Sequence, residues 1–318
     1  MSQQKRSLAV DLGGLVLPTP VMIASGCAGT GRELSGLVDL RRVGGVVSRT
    51  ITVRPRRGSP PPRIAESPSG IVWSTGLQNP GIDAFIGAEM PALAKAGSPL
   101  VVSIGGGTLE DYVRLTGALQ GRAEVVGIEI HLSGPDEEFE RPVLGVHVDR
   151  VTEIVGAVAR MSLVPVFAKL PGGVDIVPLA IAAARAGATG LTLTGSPPAL
   201  HVDATTAQVT LAEAGSWLAG PALKPLMLRA VHEVHRALPR MPLIASGGIR
   251  SATDAIEALL VGATAVQVGS ATMIDPTAPV SIAQGVMKEL KARALTSPMH
   301  LRGAAAHAVQ RGAEEATT

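Results

Sequence analysis

The sequence contains little cysteine and few aromatic residues. Its single cysteine, Cys27, excludes an internal disulfide framework and a multi-cysteine metal site, which fits a reducing compartment. Cys27 itself is either a reactive thiol or, as we expect, a small buried apolar side chain. Because aromatic residues make up only 2% of the chain, the core must consist of Val, Leu, Ile and Ala, and aromatic platforms for nucleic acids are not expected.

The chain also lacks an excess of one charge and any long apolar run. It carries 28 basic and 26 acidic residues, a formal charge of +2, without the dense Lys and Arg run that would bind nucleic acid. The N-terminal segment does not resemble a secretion signal, and no uncharged apolar run reaches the roughly 20 residues that span a bilayer. We therefore expect a cytoplasmic protein with neither nucleic acid nor a membrane as partner.

The hydrophobic pattern alternates between short β-rich runs and longer helical periods, which is typical of a parallel sheet built from βα units. It predicts strands over residues 21–25, 45–50, 100–104, 125–132, 164–170, 190–194, 243–246 and 265–268. It predicts helices over residues 82–96, 109–119, 149–161, 176–186, 223–238, 252–261 and 279–295. Eight such strands predict a single α/β domain over residues 1–318, a (β/α)8 TIM barrel rather than an open sheet.

Several segments lie outside these units. Residues 8–17, divided by Gly13 and Gly14, predict a β-hairpin that caps the floor of the barrel. The connections 51–80 and 195–221 are too long for ordinary βα loops and follow strand C-terminal ends, where barrel active sites are built. We expect both to cover the site. The tail, residues 302–318, is expected to fray or to form a last partial helix.

Glycines follow the last two predicted strands. Gly247 and Gly248 come directly after the seventh strand, and Gly269 and Ser270 directly after the eighth. Each pair also fits a tight turn, but the loops after these two strands of a barrel commonly bind phosphate, helped by the dipole of a helix N-terminus. Their joint position predicts a phosphorylated cofactor.

Three titratable side chains stand near predicted strand ends. Lys169 lies inside an apolar strand and needs an anion or an electron-rich ring beside its charge, so we expect a cofactor contact rather than a surface lysine. Arg49 either pairs with a carboxylate of a neighbouring helix or binds an anionic ligand, and its position favours the ligand. His131 is placed for proton transfer or ligand binding, whereas the acidic run that follows it is more typical of a solvated surface. No metal site is predicted.

Motifs along the chain together resemble one family. They are residues 24–27 (Ala-Ser-Gly-Cys), 54–56 (Arg-Pro-Arg) with 62–63 (Pro-Arg), 76–81 (Gly-Leu-Gln-Asn-Pro-Gly), 169–170 (Lys-Leu), 218–222 (Leu-Ala-Gly-Pro-Ala) with 224–225 (Lys-Pro), 246–249 (Ser-Gly-Gly-Ile) and 268–270 (Val-Gly-Ser). With these motifs the chain resembles the class 1 dihydroorotate dehydrogenases, closest to the class 1B catalytic subunit, over nearly its whole length. The resemblance implies an oxidoreductase with FMN bound across the barrel top.

The resemblance also implies cofactor-binding residues and partners. The implied residues are Ala24, Ser25 and Lys169 near the isoalloxazine, Gly26 next to them in the chain, and Gly220, Gly247, Gly248, Gly269 and Ser270 around the ribityl phosphate. A homodimer is usual in the family. Class 1B relatives work with an iron–sulfur and FAD electron-transfer subunit, which is a candidate partner here. Because Cys27 cannot supply a set of cluster ligands, any such cluster would belong to that other chain.

The substrate half departs from the family pattern. The base cysteine of the family is replaced by Gly134, and the polar substrate contacts align with His131, Asp136, Trp73, Gly195 and Arg49 instead of four asparagines and a lysine. A missing polar contact costs about 1–3 kcal/mol, and a lost general base about 10²–10⁴-fold in rate. Very slow oxidation of dihydroorotate is therefore expected. Trp73 favours an aromatic or more apolar ligand.

Three functions follow as hypotheses. The first is an FMN-dependent oxidoreductase that transfers hydride between a CH–CH or C=C group of another small molecule and the flavin. His131 is its first candidate acid or base, Asp136 the second, and Arg49 the anchor for an anionic group. The expected substrate-binding residues are Arg49, Trp73, Gly76, Leu77, His131 and Ser196. The alternatives are a genuine dihydroorotate dehydrogenase of pyrimidine biosynthesis with His131 or water as base, and a non-catalytic flavin-binding partner subunit.

Overall fold

Eight parallel strands form a closed barrel in the computed structural model, which describes residues 6–134, 137, 143–211 and 215–305. The strands are β1 (Val21–Ile23), β2 (Gly45–Val47), β3 (Leu100–Ile104), β4 (Val125–His131), β5 (Val166–Leu170), β6 (Gly190–Leu193), β7 (Leu243–Ser246) and β8 (Ala265–Val268). Each strand pairs with the next along the chain, and β8 pairs with β1. The predicted (β/α)8 barrel is therefore confirmed.

Helices follow the strands and cover the outside of the barrel. The longer helices are Leu109–Leu119, Val148–Met161, Ile176–Arg185, Lys224–Ala237, Ala252–Leu260 and Ala278–Ala292. The predicted helix 82–96 consists of the α-helical segments Ile82–Ala84 and Met90–Lys95 around a π-helical segment, Phe85–Glu89. Single 3₁₀ turns lie at Leu40–Arg42, Leu144–Val146, Pro221–Leu223 and Pro298–His300. The short helices Arg32–Ser35 and Ser270–Ile274 were not predicted, because segments of four and five residues are too short to show a helical period.

The N-terminal hairpin closes the floor of the barrel. Its strands, Val10–Asp11 and Val16–Leu17, pair antiparallel around the turn at Gly13 and Gly14. Leu12 and Leu17 are fully buried in the same apolar cluster as Phe167, which points inward from β5. The strands themselves are apolar on both faces, because helices cover the outer face and side chains fill the interior. The predicted cap is confirmed.

The sequence pattern predicted two long loops over residues 51–80 and 195–221. In the structure, strands from the two connections pair with each other. Four strands, Ile64–Ser67, Gly70–Trp73, Pro198–Ala199 and Ser216–Ala219, form an antiparallel sheet that we call the lid sheet. A second hairpin joins Val202–Asp203 to Gln208–Val209. The connections start after β2 and β6, so the lid sheet lies at the C-terminal end of the barrel. The strands were missed because segments of two to four residues carry no clear period, and their partners are far away in the chain.

Residues 302–305 are the described part of the predicted tail. The guanidinium of Arg302 donates hydrogen bonds to the carbonyl oxygens of Gly262, at 3.1 Å, and Met241, at 2.7 Å. These bonds fix the start of the tail to the N-terminal ends of β7 and β8. No helix within the described residues is long and apolar enough to cross a membrane.

Candidate functional site

A buried polar network fills the barrel at mid-height. Lys169 Nζ lies 3.4 Å from Glu129 Oε1 and donates to Gln267 Oε1 at 3.2 Å. Glu129 Oε2 accepts from Gln267 Nε2 at 2.6 Å and from Thr192 Oγ1 at 2.9 Å. Lys169 is 8% exposed and Glu129 only 1%. The four side chains come from β5, β4, β8 and β6, so the network ties the barrel together at the point where Lys169 was predicted to meet the cofactor.

The network determines which N–H donors of Lys169 are occupied and how its buried charge is compensated. An ammonium group has three N–H donors, and two of them point to Glu129 and Gln267. One donor is left for a ligand at the barrel mouth. Glu129 compensates the buried charge, which would otherwise be costly in this environment. Glu129, Thr192 and Gln267 were not predicted from the sequence, although a glutamate inside an apolar strand carries the same signal that identified Lys169.

Hydroxyl groups link the ends of the first three strands. Ser25 Oγ donates to the carbonyl oxygen of Ser48 at 2.8 Å and lies 3.5 Å from Thr50 Oγ1, which is 3.0 Å from Ser103 Oγ. Ala24 N donates to the carbonyl oxygen of Val268 at 3.0 Å and closes the barrel between β1 and β8. The predicted cofactor residues Ala24 and Ser25 are thus fixed at the rim of the mouth.

The turns after β7 and β8 lie side by side, because Ser246 pairs with Gln267. We call residues 247–249 and 269–270 the glycine cradle. Among the described residues, no hydrogen bond uses the backbone N–H of Gly248, Ile249, Gly269 or Ser270. Gly248 has φ +74°, and a Cβ there would lie 2.5 Å from Lys224 N. Backbone donors without partners at two adjacent turns, with Gly248 packed directly against the start of the helix Lys224–Ala237, fit the phosphate of FMN.

Two more of the predicted cofactor glycines have backbone conformations that favour glycine. Gly220 has φ +117°, and a Cβ there would meet Gly70 Cα at 2.6 Å. Gly26 has φ +80°, but a Cβ there would meet nothing within 4 Å. Gly220 therefore permits the close approach of the lid-sheet strands at Gly70, whereas Gly26 faces open space among the described residues at the rim. Lys224, beside the cradle, is held by Asp254 at 2.8 Å and Glu257 at 2.9 Å.

His131 ends β4 and is the neighbour of Lys169 on β5. Burial, followed by the positive charge of Lys169, lowers the pKa of His131 from its ordinary value of 6.5 to about 4, and Glu129 opposes this shift. The imidazole is therefore neutral near pH 7 and can accept a proton but cannot act as a cationic acid. The hydroxyl of Tyr112 donates to the carbonyl oxygen of His131 at 2.8 Å and fixes the end of the strand.

A small cavity lies beside His131. Its lining residues are Thr52, Arg56, Leu77, Gly106, Gly107, His131, Gly134 and Glu137, and its volume is about 10 Å³. That volume is roughly the space of one water molecule. Gly134 adds no side chain, and the nearest atom of the described residues to a Cβ there is the carbonyl oxygen of Gly106, at 3.9 Å. The structure thus brings together His131, Leu77 and Gly134, the residue that the resemblance aligns with the family's base.

Arg49 pairs with a carboxylate of a neighbouring helix, the option that the sequence analysis ranked second. Its Nε lies 3.3 Å from Glu89 Oε2, and the two side chains are 26% and 15% exposed. Burial raises the pKa of Glu89, and the charge of Arg49 opposes this change. A contact between Arg49 and an anionic ligand remains a prediction, now with Glu89 as a competitor.

The other predicted site residues are spread around the mouth. Trp73 lies on the lid sheet, directly opposite Trp217. Gly76 has φ +61° and packs against Ser59, where a Cβ would lie 2.5 Å from Ser59 N. Ser196 follows Gly195, whose N–H donates to the carbonyl oxygen of Leu170 at 2.7 Å. Asp136 lies outside the described residues, so its predicted role is not tested.

Two further features are a thiol beside Gly269 and a second cavity. Burial raises the pKa of the Cys27 thiol to about 11, against the opposing charge of Lys169, so the group stays protonated near neutral pH. A cavity of about 250 Å³ opens at the other end of β4, lined by residues such as Gln120, Arg122 and Ser162. It contains none of the predicted site residues.

Comparison with known proteins gives consistent matches. The family model described as dihydroorotate dehydrogenase matches residues 7–292. The chain is 40% identical over 301 residues to a protein of Geotalea daltonii, covering 94% of this chain and 98% of the relative. It is 41% identical over 301 residues to a protein of Pelobacter propionicus, covering 94% and 99%. A protein of Desulforudis audaxviator is 38% identical over 302 residues, covering 95% and 98%. All three are named dihydroorotate dehydrogenase B (NAD(+)), catalytic subunit.

Proposed function

Because the chain belongs to the dihydroorotate dehydrogenase family, flavin-dependent oxidoreductases that act on CH–CH groups and whose catalytic subunits bind FMN, we propose that it is an FMN enzyme whose substrate is not dihydroorotate. The observation that carries the proposal is Gly134. It borders the cavity beside His131 and offers no proton acceptor where the family it resembles has a cysteine. A general base contributes about 10²–10⁴-fold to the rate of such a reaction.

Named residues would hold the cofactor. The amides of the glycine cradle would bind the phosphate, and the third donor of Lys169 would be available to the flavin ring. FMN, when bound, supplies the acceptor or donor of the hydride. The lid sheet would cover the mouth and exclude water, which strengthens the electrostatic interactions within the site.

His131 is the proposed proton acceptor of the substrate side. It is neutral near pH 7, because its pKa is about 4. Protonation would place a second positive charge beside Lys169, so His131 is a weaker base than an ordinary histidine. This chemistry suits a substrate whose C–H proton a neighbouring carbonyl has already made acidic. Asp136 is the second candidate for this proton acceptor.

One observation favours a second function, a genuine dihydroorotate dehydrogenase that uses water as base. The cavity between His131 and Gly134 has room for roughly one water molecule. A water there would lie within reach of the imidazole, which could accept its proton. The names of the relatives are also those of dihydroorotate dehydrogenases.

The electron acceptor is proposed to be another subunit. The relatives are named as catalytic subunits of an NAD(+)-linked enzyme, which implies a second chain. Within the described residues, no group of His, Cys, Asp and Glu side chains could hold a metal ion. An iron–sulfur cluster would then belong to that second chain, together with FAD. We further propose a homodimer of the present chain.

Anaerobic flavin reduction tests the proposal. The purified protein is expected to show a flavin spectrum with stoichiometric FMN. Mixed with dihydroorotate, it should bleach at least about 10²-fold more slowly than the Geotalea daltonii relative measured alongside. NADH and NADPH alone are not expected to reduce it, because the electron-transfer subunit is missing.

Each other outcome points to a different function. Bleaching at the rate of the relative would establish the genuine dihydroorotate dehydrogenase. Bound FMN that no donor reduces and no acceptor reoxidises would favour the non-catalytic flavin-binding subunit. A colourless protein that does not take up added FMN would end the flavoprotein interpretation altogether.

A further inference from the structure

We propose that the second hairpin, Val202–Asp203 with Gln208–Val209, is the contact surface between two copies of this chain. The hairpin turns its apolar face outward, and a second copy covers that face about a two-fold axis. The inference rests on the homodimer of the proposed function and names its interface.

The first observation is that the hairpin exposes its apolar side rather than its polar side. Val202 is paired with Val209, so both side chains project from one face, and they are 55% and 46% exposed. Leu200, two residues before Val202, is 56% exposed. His201 and Thr210 belong to the opposite face and are half-buried. An antiparallel pair with one face in water normally buries the apolar face, and here the arrangement is reversed.

The second observation is that contacts on the polar side fix this orientation. His201 Nδ1 lies 2.7 Å from Thr210 Oγ1, and Thr210 N donates to the carbonyl oxygen of His201 at 3.0 Å. The next residue, Leu211, is buried in the apolar cluster of the lid sheet. In the part of the chain that the structure describes, the three exposed side chains belong to none of the apolar clusters. An apolar face held towards solvent in this way marks an interaction site.

The third observation is the scarcity of charge around the hairpin. Residues 195–211 contain one acidic residue, Asp203, and no lysine or arginine, whereas 17% of the whole chain is charged. Asp203 Oδ1 accepts from Thr205 N at 2.8 Å, within the turn of the hairpin. Depletion of charge is typical of the core of protein interfaces, and homodimer interfaces are the more apolar class. The composition of this surface therefore matches its exposure.

Charge and symmetry select a second copy of the chain as the occupant. At a two-fold axis a surface meets itself, so a charged face would place like charges together, whereas these three side chains are uncharged. An antiparallel ribbon with valine opposite valine also has an approximate two-fold axis between its strands, which suits an isologous contact. A partner recognised by opposite charge would find no charged side chain on this face.

A contact at the hairpin would also support the lid sheet. The lid strand Pro198–Ala199 ends directly before Leu200, and the lid strand Ser216–Ala219 follows the hairpin. Ser216 Oγ donates to the carbonyl oxygen of Ala199 at 2.5 Å and joins the two lid strands at the base of the hairpin. A second copy bound to the hairpin thus stabilises part of the cover of the barrel mouth.

Sedimentation velocity of the purified protein tests the inference. The wild type is expected to be a dimer at micromolar concentration. Val202→Asp and Val202→Lys should each raise the dimer Kd at least about 10²-fold, because each places two like charges in an apolar contact. Leu163→Asp is the matched control, since Leu163 is 78% exposed at the opposite end of the barrel, and it should leave the Kd unchanged.

A mixing experiment separates repulsion from misfolding. An equimolar mixture of Val202→Asp and Val202→Lys should form dimers again, because the two charges at the contact are then opposite. A variant that had failed to fold would not be restored by its counterpart. The double variant Val202→Thr with Val209→Thr keeps the β-branched shape and should raise the Kd about 10-fold through the loss of apolar contact.

Hydrogen–deuterium exchange locates the contact within the chain. The backbone amides of residues 202–209 and 216–219 should exchange more slowly in the wild type than in Val202→Asp, because the second copy protects them. The amides of β3 should exchange equally in both proteins. Neither measurement requires a substrate.

The outcomes separate this inference from the proposed function. A dimeric wild type that neither charged variant dissociates overturns the inference and leaves the homodimer, as does equal exchange of residues 202–209 in the wild type and Val202→Asp. A monomeric wild type overturns the homodimer together with the inference, whatever its flavin content. A dimer that takes up no FMN contradicts the flavoprotein function and leaves the interface standing.

Discussion

On the cofactor side of the barrel mouth, backbone groups form the candidate site, whereas on the substrate side, around the end of β4, side chains form it. The turns after β7 and β8 offer backbone amides, and Gly248 lets its turn pack against the backbone of Lys224. The cavity of His131 is shaped by side chains and by the absence of one at Gly134. A site made of backbone depends on the fold and a few glycines, while a site made of side chains changes with each substitution. Under the proposed function, this difference is what would let one scaffold keep a cofactor and change its substrate.

The largest effect on FMN binding is expected from a substitution that distorts the turn after β7, which is part of the glycine cradle. Gly248→Ala should weaken FMN binding about 100-fold, because its φ of +74° disfavours alanine and the new Cβ would lie 2.5 Å from Lys224 N. FMN release and rebinding, followed by flavin fluorescence, give the dissociation constant. Gly121→Ala is the matched control, since Gly121 has φ +69° with nothing within 4 Å. Equal FMN affinity in both variants would remove the glycine cradle from the cofactor site.

The next effect concerns the buried network that supports both sides. Glu129→Gln leaves the Lys169 charge uncompensated, and the free energy of unfolding should fall by about 3 kcal/mol. Urea denaturation measures the change. The double variant Glu129→Leu with Lys169→Met should lose less than Glu129→Gln alone, because both charges are gone. If the double variant loses as much free energy of unfolding as Glu129→Leu and Lys169→Met lose separately when added together, the two residues do not act as a pair.

A smaller effect is expected from the pH dependence of His131. Its pKa in the folded protein, about 4, lies below the unfolded value of 6.5, so the unfolded chain binds the proton first as the pH falls. The stability that neutral His131 provides is therefore present above pH 6.5 and is lost between pH 6.5 and 4. From pH 7 to 4.5 the wild type should lose about 2 kcal/mol more than His131→Asn. Parallel urea midpoints for the two proteins over this range would contradict the burial of the imidazole.

The smallest effect is expected at the Arg49–Glu89 pair. Both side chains are partly exposed, so Glu89→Gln should lower the free energy of unfolding by less than about 1 kcal/mol. The same change frees Arg49 and should raise the affinity for orotate several-fold, as titration of the flavin absorbance would record. Arg49→Gln should not raise it. Unchanged orotate affinity in Glu89→Gln would show that Arg49 does not face the ligand.

The barrel could be predicted from sequence more completely than the site. Strands such as β3 and β7 have the predicted bounds, because residues buried on both faces form unbroken apolar runs with clear ends. The lid sheet was missed because its strands are short, and Ser74 meets Gly215 only after the chain has passed through four of the eight barrel strands. No local pattern contains that pairing.

The residues of the candidate site also differ in how far the sequence could identify them. Gly247 and Gly248 after β7 have φ values of +130° and +74°, which favour glycine whatever surrounds them, whereas Gly269 after β8 has φ −101° and could be recognised only from its place at a strand end. The partner of Arg49 could not be chosen, because Glu89 lies on a distant helix and a sequence does not show which carboxylate approaches. Trp217 carried no signal until the strand pairing placed it opposite Trp73.

The measurement that tests the central claim most directly is anaerobic flavin bleaching by dihydroorotate in Gly134→Cys, with Gly134→Ala as the control for side-chain volume. Among the described residues, the nearest atom to a Cβ at this position is 3.9 Å away, so both variants should fold and load FMN. If the substrate side has lost its base, the cysteine variant should bleach about 10²-fold faster than the wild type and the alanine variant should not. A wild type that already bleaches as fast as Gly134→Cys would contradict the account.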